Sequence, residues 1–89
     1  MGKIKNYYYS LEFNANKLDI TEMFDLSYEI EKLIKSKDYK ITGAGTVLIG
    51  PRVRDISFQG KNKITAAFKN KLIAFGKKNK VKITINDIV

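Results

Sequence analysis

Apolar and polar positions alternate near the start of the chain. Tyr7, Tyr9, Leu11 and Phe13 share one parity, and Tyr8, Ser10 and Glu12 share the other. A period of two puts successive side chains on opposite faces, so this segment predicts a strand with one apolar face. Asn14 to Lys17 follow as a loop. The period then changes. Met23, Leu26, Ile30, Leu33 and Ile34 recur at the spacing of a single helical stripe. Asp19 stands ahead of them as an N-cap, with Glu22 three positions on to complete a capping box. Leu18 and Met23 have the spacing of a hydrophobic staple. Lys32, Lys35 and Lys37 gather at the far end, where the helix dipole favours cations. The expected helix runs from Ile20 to about Lys37.

A second strand is expected from Tyr39 to Thr46, interrupted by Gly43-Ala44-Gly45, where glycines mark a bulge or a close backbone approach. Gly50-Pro51 signals a turn. Val53 to Gln59 alternates again, with Ile56 and Phe58 on the apolar parity and Asp55, Ser57 and Gln59 on the other. The two strands make a hairpin, through a tight turn at Gly50-Pro51 or a longer loop over 46–52. Gly60-Lys61-Asn62 reads as a linker. A second helix is expected from about Lys63 to Lys78, burying Ile64, Phe68, Leu72 and Phe75. Lys80 to Ile88 gives a last strand with Val81, Ile83 and Ile85 inward. The order is β-α-β-β-α-β. With right-handed crossovers it folds as one α+β domain spanning 1–89: a ferredoxin-like, split βαβ sandwich with a four-stranded antiparallel sheet and two helices on one face.

Composition narrows the chemistry. The 89 residues hold no cysteine and no histidine. That removes disulfides, thiol nucleophiles, Ser-His triads, imidazole bases and zinc sites built on Cys or His. No phosphate-binding GxxxxGK[ST] or GxGxxG motif is present. Gly43-Ala44-Gly45 sits between strands and opens no helix, so it reads as a strand irregularity. Glu12 and Asp55 are expected on neighbouring strands of the open sheet face, where two carboxylates can hold Mg²⁺. A solvated polar face is the stronger reading of the pair. The expectation is a protein that is not an enzyme and needs no metal or cofactor. Met1 to Asn6 lacks the apolar core of a secretory leader, and no apolar run nears the ~20 residues that span a bilayer. Together with the absence of cysteine, this predicts a cytoplasmic protein that does not enter the membrane.

Charge changes the picture more than composition does. The net charge is +8. Residues 1–45 are balanced, and the whole excess lies in residues 46–89, where the only acids are Asp55 and Asp87. Such asymmetry points to nucleic acid or another polyanion. On the second helix, Lys63, Lys69 and Lys77 are expected on the solvent side, extended by Lys71, Lys78 and Lys80 and flanked by Lys61 and Lys82. Arg52 and Arg54 are expected to join this surface from the hairpin. The expected phosphate-contacting set is therefore Lys61, Lys63, Lys69, Lys77, Lys78, Lys80, Arg52 and Arg54. Two arginines are few for bidentate base readout. The topology is shared with the RRM, but the RRM surface is missing. Phe13 and Phe58 carry the core parity, only Tyr8 projects outward from the first strand, and residues 53–59 do not match the RNP1 pattern.

A second function class rests on exposed apolar positions. Phe24 and Tyr28 lie off the main stripe of the first helix. Ile73 falls within the lysine face. Leu48 and Ile49, next to Val47, fall at the hairpin tip. Phe24, Tyr28, Leu48, Ile49 and Ile73 are the expected contacts if the partner is a protein or a second copy. That alternative is an interaction or inhibitor module of the phage or mobile-element accessory type, such as an inhibitor of a host ribonucleoprotein defence complex.

Overall fold

A computed structural model describes residues 6–47, 50 and 52–88. The elements are β1 (Tyr7–Asn14), α1 (Ile20–Lys35), β2 (Lys40–Val47), β3 (Val53–Gly60), α2 (Ala66–Lys78) and β4 (Ile83–Ile88). The strands form one antiparallel sheet in the order β2-β3-β1-β4. This is the ferredoxin-like α+β arrangement. Tyr9, Leu11, Phe13, Ile56, Phe58 and Ile83 form one buried cluster with Met23, Leu26, Ile30 and Ile34 of α1 and Phe68 and Leu72 of α2. The strand members stand opposite one another in the ladders, Tyr9 with Phe58, Leu11 with Ile56 and Phe13 with Ile83, so they share one face, which both helices cover while the other is left open. Each large side chain buried in this way contributes about 1.5–3 kcal/mol.

α1 starts as the sequence predicts. The Glu22 N–H donates to Asp19 Oδ1 at 2.7 Å, and the Asp19 N–H donates to Glu22 Oε1 at 3.0 Å. The helix ends at Lys35, short of the expected Lys37. Ser36 Oγ donates to the Leu33 carbonyl at 2.6 Å, and Asp38 takes a positive φ of 65°, which turns the chain out of the helix.

α2 starts at Ala66, later than expected, because Thr65 is its N-cap: Oγ1 accepts from the Phe68 N–H at 3.1 Å. The preceding residues are held open by two tyrosines. Tyr9 Oη accepts from the Ile64 N–H at 2.9 Å, and Tyr39 Oη donates to the Asn62 carbonyl at 2.9 Å. At the other end, Lys80 has φ 65°. Its N–H bonds the Lys77 carbonyl, and the Val81 N–H bonds the Gly76 carbonyl. This paired closure is a Schellman-type cap, and it delays β4 to Ile83 where a strand from Lys80 was expected.

The hairpin uses the longer connection, since β2 ends at Val47 and β3 begins at Val53. Leu48 and Ile49 lie outside the described residues. The interruption expected at the glycines is a register shift between Ile41 and Gly43. Two other glycines sit where a side chain has no room. A Cβ on Gly60 would lie 2.5 Å from the Tyr39 ring, and one on Gly76 would lie 2.5 Å from Ile83 Cδ1. The second lets α2 settle close against β4.

Candidate nucleic-acid interface

The basic residues divide by the surfaces their elements occupy. α2 buries Phe68, Leu72 and Gly76. At 100° per residue this leaves Asn70, Ala74 and Lys77 outermost, with Lys71 and Lys78 on one flank and Lys69 and Ile73 on the other. Two clefts follow. At the start of α2, Lys37, Lys63 and Lys71 line a cleft of about 320 Å³ floored by Tyr39 and Phe68. Along the β4 flank, Lys77, Lys80 and Lys82 surround Ile73, Val81 and Ile83 in a cleft of about 440 Å³. Among the described residues, neither cleft has a carboxylate in its lining. Burial, and after it the neighbouring Tyr9 phenol, hold the Tyr39 hydroxyl above the ordinary 10.0. The floor of the first cleft therefore stays uncharged.

The other expected contacts are placed differently. Lys69 is half-buried. Lys78 lines the groove between the helices together with Glu22, Asp25 and Glu29, so it faces carboxylates of its own chain; Lys80 lines both this groove and the β4 cleft. Lys61 shares a cleft with Lys40 and Asp38. Among the described residues, none of the lysines of 61–82 forms an ion pair or a side-chain hydrogen bond. Ile73 is 38% exposed and lies over the β4 cleft, on the flank of α2 and not at the centre of its outer face.

Arg52 and Arg54 do not join this surface. They belong to β3 and its approach, on the side of the sheet covered by α1. Arg52 donates through Nη1 to the Leu18 carbonyl, and its backbone N–H donates to Asn16 Oδ1 at 2.7 Å. Arg54 donates through Nε to Ser27 Oγ at 3.0 Å and through Nη1 to Thr46 Oγ1 at 2.8 Å, and its guanidinium lies 5.1 Å from the centre of the Phe24 ring. The sequence reading put both arginines on the basic surface; the partners that hold them beside α1 are supplied only by the tertiary fold. The sequence reading also missed Lys37. Its role there was a helix terminus, and nothing local brings it to Lys63 and Lys71. Ile20 was missed too. It is 49% exposed and continues the line of Phe24 (47%) and Tyr28 (62%) at i, i+4, i+8.

The open sheet face is polar at its centre, with Tyr8 beside Ile88 and Val47 beside Val53 toward its ends. Glu12 stands between Asp55 and Thr84, and Ser10 between Ser57 and Asn86. Of the strand-one aromatics only Tyr8 shows there. Among the described residues no group of three acidic side chains is placed to hold a metal. No helix among them is long and apolar enough to cross a membrane.

No protein-family model matches the sequence, and no curated protein is similar to it in sequence. Solved structures do resemble it in shape. The C-terminal domain of the MgtC protein from Mycobacterium tuberculosis aligns with a TM-score of 0.70 at 13% identity, over 99% of this chain and 93% of that one. The 30S ribosomal protein S6 from Thermotoga maritima aligns at 0.70 and 14%, over 94% and 89%. An ACT domain protein from Streptococcus pneumoniae aligns at 0.64 and 18%, over 92% and 89%. At these identities the likeness is one of backbone, and it establishes that the chain has the ferredoxin-like α+β fold.

Proposed function

We propose that this chain is a non-enzymatic binding module. Its α2 side holds the phosphate backbone of a nucleic acid, free or within a nucleoprotein complex. The observation that carries the reading is the pair of lysine-lined clefts, neither of which has a carboxylate among the described residues of its lining. Lys63 and Lys71 act with Lys37 at one end of α2; Lys77, Lys80 and Lys82 act at the other. The roles are electrostatic, and affinity comes from release of counterions from the phosphates. Lys80 lines the β4 cleft at a positive φ, where lysine is strained and glycine is not, and it also lines the acid-bearing groove between the helices. Lys61 and Lys69 lie at the margin of the surface. Lys78 is turned toward acids and contributes less. Arg52 and Arg54 are left out of it.

The test is binding of the purified protein to labelled single- and double-stranded DNA and RNA at two salt concentrations. Sub-micromolar affinity that collapses between about 50 and 200 mM salt is expected. Lys77→Glu with Lys82→Glu should weaken binding. It should also lower the slope of log affinity against log salt by about 0.9 for each duplex phosphate that is no longer neutralised. Absence of binding at low salt would reduce these lysines to a solubilising face.

A further inference from the structure

The flank of α1 that faces away from α2 carries Ile20, Phe24 and Tyr28 beside the edge strand β2. Arg54 joins the two. Its guanidinium is fixed by Ser27 of α1 and Thr46 of β2 and lies against Phe24. Ser27 is 1% exposed and in turn donates to Glu31 Oε2 at 3.3 Å, so Arg54 cannot swing away without breaking a buried link. Two of its five N–H groups are used here, and no carboxylate among the described residues pairs with it. A half-buried, aromatic-backed arginine with donors to spare is the kind of residue that anchors protein interfaces.

β2 supplies the rest. It is the last strand on its side of the sheet, and an edge strand presents a row of unpaired backbone groups. Its irregularity lies between Ile41 and Gly43, which leaves Gly43 to Val47 in regular register. Thr46 and Arg54 share a cross-strand row with Phe13, which is buried under the helices. An added strand would therefore point its residue opposite Thr46 toward the helix side, next to the Arg54 guanidinium. Its residue opposite Ala44 would lie two positions on, about 6.7 Å along the strand. Phe24 and Tyr28 are one turn apart, about 6 Å along α1. The two spacings match.

We infer that the β2 edge and the α1 flank form a docking site for an extended segment of a protein partner. The segment pairs with β2, places an Asp or Glu on Arg54, and sets an apolar residue two positions away against Tyr28. Charge and strand pairing together select this occupant. Arg54 lacks a counterion among the described residues, and the edge strand beside it offers backbone N–H and C=O groups that a peptide strand can pair with and a nucleic-acid backbone cannot. The site stands apart from the α2 surface and does not depend on it.

The probe is a displayed library of random linear peptides selected against the full chain. Enriched sequences should carry Asp or Glu two positions from an aromatic or aliphatic residue. A selected peptide should shift the backbone amides of Gly43 to Val47 in NMR spectra. Its affinity should fall about tenfold or more in Arg54→Lys and in Phe24→Ser. Phe24→Ser alters an exposed side chain and keeps the test valid if the arginine variant is unstable. Lys77→Glu should leave peptide affinity unchanged. Failure to enrich any motif, enrichment without the carboxylate, undiminished binding to both variants, or shifts on α2 would each overturn the assignment. So would concentration-dependent dimers that shift the β2 amides without peptide, since the edge would then belong to a second copy.

Discussion

The Tyr39 hydroxyl donates a 2.9 Å hydrogen bond to the carbonyl of Asn62, twenty-three residues away. The bond ties the turn after α1 to the approach of α2, and it needs the protonated phenol. Burial, then the nearby Tyr9, raise the pKa of Tyr39 in the folded protein above the ordinary 10.0. Folding therefore favours the neutral form. That stabilisation is whole below pH 10 and is lost as pH rises through the raised value. Tyr39→Phe should cost about 0.5–1.5 kcal/mol at neutral pH by loss of the bond. It should also flatten the fall in stability above pH 10. Urea unfolding of both proteins across that range checks both statements.

Gly76→Ala should destabilise the protein, although alanine is the better helix former by about 1 kcal/mol at an exposed site. The added methyl would meet Ile83 Cδ1 at 2.5 Å, Ile83 Cγ1 at 2.6 Å and the Val81 carbonyl at 3.2 Å. Forcing α2 off β4 should cost about 1–3 kcal/mol. A double-mutant cycle with Ile83→Ala separates the causes, because the two shortest contacts disappear with the isoleucine and only the Val81 carbonyl remains. Additive effects would place the cost elsewhere.

Lys80→Gly should move stability and binding in opposite directions. Lys80 holds the positive-φ position of the cap after α2. Glycine adopts that conformation without a Cβ penalty, so thermal stability should rise by up to about 1 kcal/mol. The same change removes one cation from the β4 cleft and should weaken nucleic-acid binding. Lys80→Asn, which also tolerates positive φ, is the companion variant for the charge.

Asp55→Asn should be neutral to stabilising. Glu12 and Asp55 stand directly opposite on β1 and β3, and like charges at that separation are unfavourable by about 0.2–1 kcal/mol. The gain should shrink at high salt, which screens the repulsion between the two exposed carboxylates. Chemical denaturation at two salt concentrations reads it directly.

Much of this architecture is written in local patterns. The capping box at Asp19 and Glu22, the stripe of α1 and the parity of β1 and β3 need only nearest neighbours along the chain, and all appear where the pattern puts them. The misplacements fall where distant residues decide. Lys63 to Thr65 stay out of α2 because Tyr9 and Tyr39 hold the connection open. Arg54 leaves the lysine surface because Ser27 and Thr46 claim it. Lys37 meets Lys63 and Lys71 only after α1 and α2 are laid side by side. Alternation reveals which face a residue takes, but not who waits on that face.

The groove between the helices has a further effect. Glu22, Asp25 and Glu29 line it on the α1 side, while the excess cations lie on and beyond α2. The molecule is therefore an electric dipole as well as a cation. A polyanion at a distance exerts a torque on it before contact and turns α2 inward. On the two assignments proposed above, the Arg54 corner then arrives facing outward, and a chain of 89 residues would bridge a nucleic acid and a second protein.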